Sequence, residues 1–150
     1  EAGCSRPAMA TTNGFVLDAS VALAWCFHDE ATAASAALLD RLAADETAEV
    51  PAIWALEVAN ILVMAEKRKR LDAAAVAEFV ALLETLDLRA DDAPAGRAFG
   101  EILALARREG LSSYDAAYLD LAMRRGFPLA TRDTALAKAA RRVGVAVIVC

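Results

Sequence analysis

Asp18, Glu57, Asp115 and Asp133 are the side chains whose type and setting in the sequence point to chemistry. Asp18 closes the apolar run Phe15-Val16-Leu17, and Asp133 follows the run Phe127 to Ala130 after Thr131-Arg132. Both are therefore predicted at the carboxyl ends of strands, the edge of a parallel α/β sheet where ligands bind. Asp115 comes three residues after Ser112, at the start of a predicted helix that ends at Gly126. It shares a core-facing stripe with Tyr118, Leu119 and Ala122, whereas Asp120 points elsewhere and reads as a solvated charge with Arg124 as its i+4 surface partner. Glu57 and Asn60 are the only polar side chains between Pro51 and Glu66. The helix that carries them, Ala52 to Arg70, reads as apolar nearly all round and hence buried. An ionised glutamate there is costly unless it is paired or bound to a metal. Each acid also has a plain structural reading: N-caps for Asp18 and Asp133, a capping box for Asp115, a core salt bridge for Glu57.

A parallel topology can bring these four positions to one edge, and crowded carboxylates raise one another's pKa values unless cations neutralise them. Two divalent ions would balance four negative charges. All-oxygen ligation suits Mg²⁺ or Mn²⁺, and without convergent histidines or cysteines zinc is disfavoured. The single His28 reads as a surface or core residue. Ions held this way orient a water, lower its pKa and stabilise the leaving oxygen of a phosphodiester displacement. No side-chain nucleophile is needed, and the chain has neither a G-x-S-x-G elbow nor a G-x-x-x-x-G-K-[ST] phosphate loop.

The elements that must position these acids alternate between strand and helix. Ala19 to Phe27 and Ala31 to Ala44 read as helices, Glu49 to Pro51 as a short strand, Asp72 to Leu86 as a capped helix and Leu88 as the start of another strand. Pro94 opens a helix that ends at Arg107-Arg108-Glu109-Gly110, Thr134 to Arg142 is helical, and Val145 to Val149 is a β-branched outer strand. This alternation predicts a parallel sheet covered on both faces. With 150 residues and 58% apolar residues the chain has the core of one domain, read as residues 15–150. Glu1 to Gly14 reads as a disordered end or an expression scar.

The formal charge of -5 means that a nucleic acid must be held by metal ions or local basic patches. Lys67, Arg68, Lys69 and Arg70 form one such run and Arg107 with Arg108 a second; a solvated helix end is the plain reading of either. Three cysteines, Cys4, Cys26 and Cys150, are odd in number and lack metal-ligand spacing, which suits a reducing cytoplasm. No uncharged apolar run approaches the roughly 18 residues that suggest a membrane helix.

With VLDASVALAW around Asp18, ALEVANIL around Glu57, SSYDAAYLDLA around Asp115 and LATRD around Asp133, in that order, the chain resembles the PIN-domain nucleases, and among them the VapC-like ribonuclease toxins of type II toxin-antitoxin modules. The resemblance runs from Phe15 to about Val149. It implies a PIN-like three-layer α/β fold with a central five-stranded parallel sheet and helices on both faces. It further implies an acidic Mg²⁺ or Mn²⁺ site and endonucleolytic cleavage of RNA. Asp18, Glu57, Asp115 and Asp133 match the family's acidic positions, with Asn60 and Thr131 in supporting places. A homodimer and a cognate antitoxin whose C-terminal tail covers the site are implied as well.

Other classes fit less of the chain. A flavodoxin-like signalling receiver needs a clustered acidic pair near the first strand and a lysine at a late strand end. Here Asp18-Ala19-Ser20 supplies one acid, and no lysine follows the last strand. A haloacid-dehalogenase phosphatase needs D-x-D, and position 20 is Ser. A PIN fold kept as a noncatalytic interaction module remains as the alternative, with the intact acids counting against it.

Overall fold

The computed structural model describes residues 14–150. The reading of the N-terminal end lies outside them except at Gly14, which opens the first strand. The elements are β1 (Gly14–Leu17), α1 (Ala19–Cys26), α2 (Ala33–Ala43), β2 (Thr47–Val50), α3 (Trp54–Lys67), α4 (Ala73–Glu84), β3 (Leu88–Ala90), α5 (Ala95–Arg97), α6 (Leu103–Glu109), α7 (Ser113–Arg125), β4 (Leu129–Thr131), α8 (Thr134–Arg142) and β5 (Val147–Val149). A π-helical turn, Ala98–Ile102, joins α5 to α6 where one regular helix is expected.

All five strands are parallel, in the order β3-β2-β1-β4-β5. β1 is central. Its Phe15, Val16 and Leu17 are fully buried, and since successive side chains point to opposite faces, helices must cover both. α7 supplies much of that cover, packing Tyr118, Leu119, Leu121 and Ala122 with no solvent exposure. Gly14 is fixed by packing, because a Cβ there would lie 2.6 Å from the Phe127 ring. Gly126 ends α7 at φ 67°, the left-handed cap that its sequence predicts.

The chain winds outward from the centre in two directions, through β2 and β3 on one side and β4 and β5 on the other. The strand order thus reverses between β1 and β4, and at such a switch point the carboxyl edge opens into a crevice. Val16 is in register with Leu129 and Leu17 with Ala130, so the residues that follow, Asp18 and Thr131, meet at that edge.

Two sequence-based expectations need correction. α3 is buried on one face only: Trp54, Val58, Leu62 and Ala65 pack inward, while Leu56 is 68% exposed and Val63 and Met64 also face outward. A helix in an outer layer meets the layer beneath along one stripe, so an all-round apolar composition does not place it in the interior. Asp120 is not a solvated charge. It is 4% exposed and accepts hydrogen bonds from Arg97 Nε at 2.8 Å, Arg97 Nη2 at 2.7 Å and Arg124 Nε at 2.9 Å. Arg124 also binds Asp91 beyond β3, and Arg125 joins Asp91 to Glu49. The sequence shows the i+4 partner, but the arginine that buries Asp120 lies 23 residues away.

Candidate active site

Asp18 directly follows β1 and precedes α1 with extended backbone. Its N–H donates to Ala130 of β4 at 3.0 Å, and its carbonyl accepts the Val21 N–H of α1 at 3.0 Å. Although it precedes α1, its side chain makes no capping bond. The carboxylate, 6% exposed, instead accepts the Thr131 hydroxyl at 2.7 Å and the Ser20 hydroxyl at 2.8 Å, both on Oδ2. Burial raises its pKa; the two hydroxyl donors pull it down and the charge of Asp133 pushes it up again.

Thr131 and Ser20 also bind the segment that carries Asp133. The Asp133 N–H donates to Thr131 Oγ1 at 3.0 Å, and the Arg132 N–H donates to Ser20 Oγ at 3.1 Å. Asp133 does cap α8, its Oδ1 accepting the Leu136 N–H at 2.9 Å. The capping reading holds for this residue, which at the same time raises the pKa of Asp18 and Asp115 by its charge.

Asp115 lies in the first turn of α7, half-buried. Ser112 caps the helix by accepting the Asp115 N–H at 3.1 Å; the reciprocal carboxylate bond of a capping box is absent among the described residues. Burial raises the Asp115 pKa, as do the charges of Asp133 and Asp18. Glu57, in the first turn of α3, is half-buried and accepts the Tyr118 hydroxyl at 2.8 Å on Oε1. Burial raises its pKa, the Tyr118 bond opposes the rise, and Asp18 and Asp115 add to it. Burial and the charges of Glu57 and Asp18 push the Tyr118 phenol far above its usual range, so it stays a proton donor.

Asp18, Glu57, Asp115 and Asp133 therefore share one electrostatic site at the switch point. Thr131 stands between Asp18 and Asp133. Asn60, one turn beyond Glu57 on α3, is exposed and makes no side-chain hydrogen bond among the described residues. Ser20 and Tyr118 also belong to the site, although the sequence reading places Tyr118 only on the core-facing stripe of α7 and gives Ser20 no part in it. The signal for Tyr118 was its i+3 spacing from Asp115, since a phenol on a buried stripe must find an acceptor.

No residue of the basic runs pairs with one of the four acids among the described residues. Lys67 is ten residues beyond Glu57 on α3, roughly 15 Å along the axis at about 1.5 Å per residue. Arg70 is engaged by Asp29 and Glu30 at 3.0 and 3.2 Å and lies over the Phe27 ring at 3.7 Å. Lys67, Arg68 and Lys69 are exposed, as are Arg107 and Arg108 near the end of α6, where Arg108 pairs with Glu109 at 3.4 Å. Arg132, between Thr131 and Asp133, is the basic residue nearest the acids in the chain, and its guanidinium lies 3.5 Å from Glu30. His28 is exposed, and burial raises the pKa of the free thiols Cys26 and Cys150, which suits passive roles.

Among the described residues no three His, Cys, Asp or Glu side chains close into a ready-made metal cage. The four acids nevertheless form an all-oxygen donor set whose repulsion a cation would relieve. Asp18, Glu57 and Asp133 each have one oxygen bound by the protein, which favours ligation through the other. Such a set fits Mg²⁺ or Mn²⁺, since an ion like Mg²⁺ keeps several waters and needs few carboxylates.

The family model for the PIN domain matches residues 15–142. The chain belongs to the PIN-domain family. PIN domains are generally nucleases. Two solved structures share the fold: PAE2754 from Pyrobaculum aerophilum, with a TM-score of 0.69 and 23% identity over 91% of this chain and 85% of that one, and FitAcB from Neisseria gonorrhoeae, with a TM-score of 0.57 and 21% identity over 89% and 96%. No curated protein matches the chain. Among the described residues no helix is long and apolar enough to cross a membrane.

Proposed function

We propose that this PIN domain is a Mg²⁺- or Mn²⁺-dependent endoribonuclease and the toxin component of a type II toxin-antitoxin module, acting in the cytoplasm. The observation that carries the catalytic part is the set of four carboxylates at the β1/β4 switch point, three of them with pKa values raised by burial and by one another. Asp18, Glu57, Asp115 and Asp133 would hold the ion. When bound, it lowers the pKa of a water and stabilises charge on the phosphate oxygens. The chain's own part is to fix Asp18 through Ser20 and Thr131, to hold Glu57 through Tyr118 and to keep Asp133 on the cap of α8.

The toxin assignment, the homodimer and the antitoxin rest on the VapC-like motifs. The same acidic pocket suits an antitoxin tail, because an arginine or lysine can neutralise the carboxylates in place of metal and so block RNA.

Metal is expected to raise the melting temperature, since a ligand that binds only the folded state stabilises it by mass action. Mg²⁺ or Mn²⁺ should also support RNA cleavage, with no comparable activity from Zn²⁺. Full cleavage in excess EDTA by protein free of contaminating nuclease would refute the metal reading, and metal binding without cleavage would favour the noncatalytic module. RNA docking has its own test. Neutralising a phosphate contact weakens binding across sequences and flattens its salt dependence. Lys69→Ala and Arg107→Ala are expected to do both, and an unchanged salt slope would return both runs to solvated helix ends. Arg70 is a poor probe because Asp29, Glu30 and Phe27 already engage it.

A further inference from the structure

Tyr118 is fully buried, and its hydroxyl has one hydrogen-bond acceptor, Glu57 Oε1 at 2.8 Å. The two residues come from different helices, α7 and α3, and are 61 positions apart. Glu57 has three side-chain torsions, stands at the flank of a helix with one face exposed, and makes no other side-chain hydrogen bond among the described residues. Asp18 and Asp115 repel it. Released from the phenol, its carboxylate would turn toward solvent and away from the other acids. Tyr118 is also three residues from Asp115, on the same side of α7, so this helix carries one acid itself and orients a second across the crevice.

We propose that Tyr118 is a positioning residue: through its single hydrogen bond it holds Glu57 in register with Asp18 and Asp115 and so sets the cation affinity of the site. The inference rests on the metal-dependent reading above and adds a named residue that need not touch the ion. Partners that orient a metal-binding carboxylate are worth roughly 10- to 100-fold in metal affinity or activity.

The test is Mn²⁺ binding measured by calorimetry on the full chain without RNA, for wild type, Tyr118→Phe, Glu57→Ala and the double variant. Tyr118→Phe keeps the ring and its packing, and a cooperative melt in EDTA confirms the fold. The expected result is Mn²⁺ affinity about tenfold weaker in Tyr118→Phe, with no further loss when the same change is made in the Glu57→Ala background. Unchanged affinity in Tyr118→Phe would overturn the proposal. So would an equal loss in both backgrounds, which marks a general packing effect. A wild-type chain that binds no Mn²⁺ would overturn it together with the metal reading, whereas tight wild-type binding that Tyr118→Phe leaves intact removes only the role of Tyr118.

Discussion

Asp115→Asn is expected to abolish RNA cleavage and, in the absence of metal, to raise the melting temperature at neutral pH. The amide keeps the shape and the first-turn position in α7 but removes a charge placed beside Asp18 and Asp133. Loss of one electrostatic contact at a reacting centre costs on the order of 10²- to 10³-fold in rate. The stability gain follows from linkage. Burial, then Asp133 and Asp18, raise the Asp115 pKa above its unfolded value. The folded state therefore holds the proton more tightly, and the advantage of the protonated form, complete below an unfolded pKa of about 3.9, is lost as pH rises through the folded value. Above that value wild type bears the cost of a crowded carboxylate and the variant does not. Melts in EDTA at pH 7 and below pH 4 should show a gap that closes on acidification. A lower melting temperature for the variant at pH 7 would mean that Asp115 is a stabilising cap and not a strained ligand.

Asp120→Asn should act in the opposite way, with large destabilisation and cleavage per folded molecule largely retained. Removing one partner of a buried ion pair costs roughly 3–5 kcal/mol, which for a chain of this size lowers the melting temperature by about 10 °C. Desolvation works against the Asp120 charge, but the hydrogen bonds from Arg97 and Arg124 outweigh it and hold the pKa below the usual value. Asp91 is lowered as well, chiefly by its hydrogen bonds from Arg124. A depressed folded pKa stabilises above the unfolded value, about 3.9, and the contribution is lost as pH falls through the folded one. The gap between wild type and Asp120→Asn should accordingly persist from pH 7 to pH 5 and narrow only below about pH 4. Equal melting temperatures at pH 7 would show that the arginines do not depend on Asp120.

These two aspartates, five residues apart on one helix, show what was legible in the sequence. Local rules located α7 from Ser112 and Gly126 and gave Asp115 its direction, and strand-end logic placed Asp18 and Asp133. Local rules fail where a partner comes from a distant segment. Arg97 reaches Asp120 across 23 positions and Tyr118 reaches Glu57 across 61, and no periodicity encodes either meeting. Composition misleads about α3 for a related reason, because the apolar residues of a helix say how much surface is available for burial and not whether anything covers it. The π-helical turn at Ala98–Ile102 has no breaker in its sequence, AFGEI, beyond Gly100, and nothing in the structure explains it.

The central claim is that four carboxylates run a metal-assisted hydrolysis in which water, and not the RNA's own 2′-hydroxyl, attacks phosphorus. Mass spectrometry of the ends of a single-stranded RNA cut by the wild-type chain with Mn²⁺ tests it most directly. The account predicts linear terminal phosphates from the first turnover and no cutting once EDTA is added. Ends bearing 2′,3′-cyclic phosphate, or the same fragments in EDTA, would contradict it.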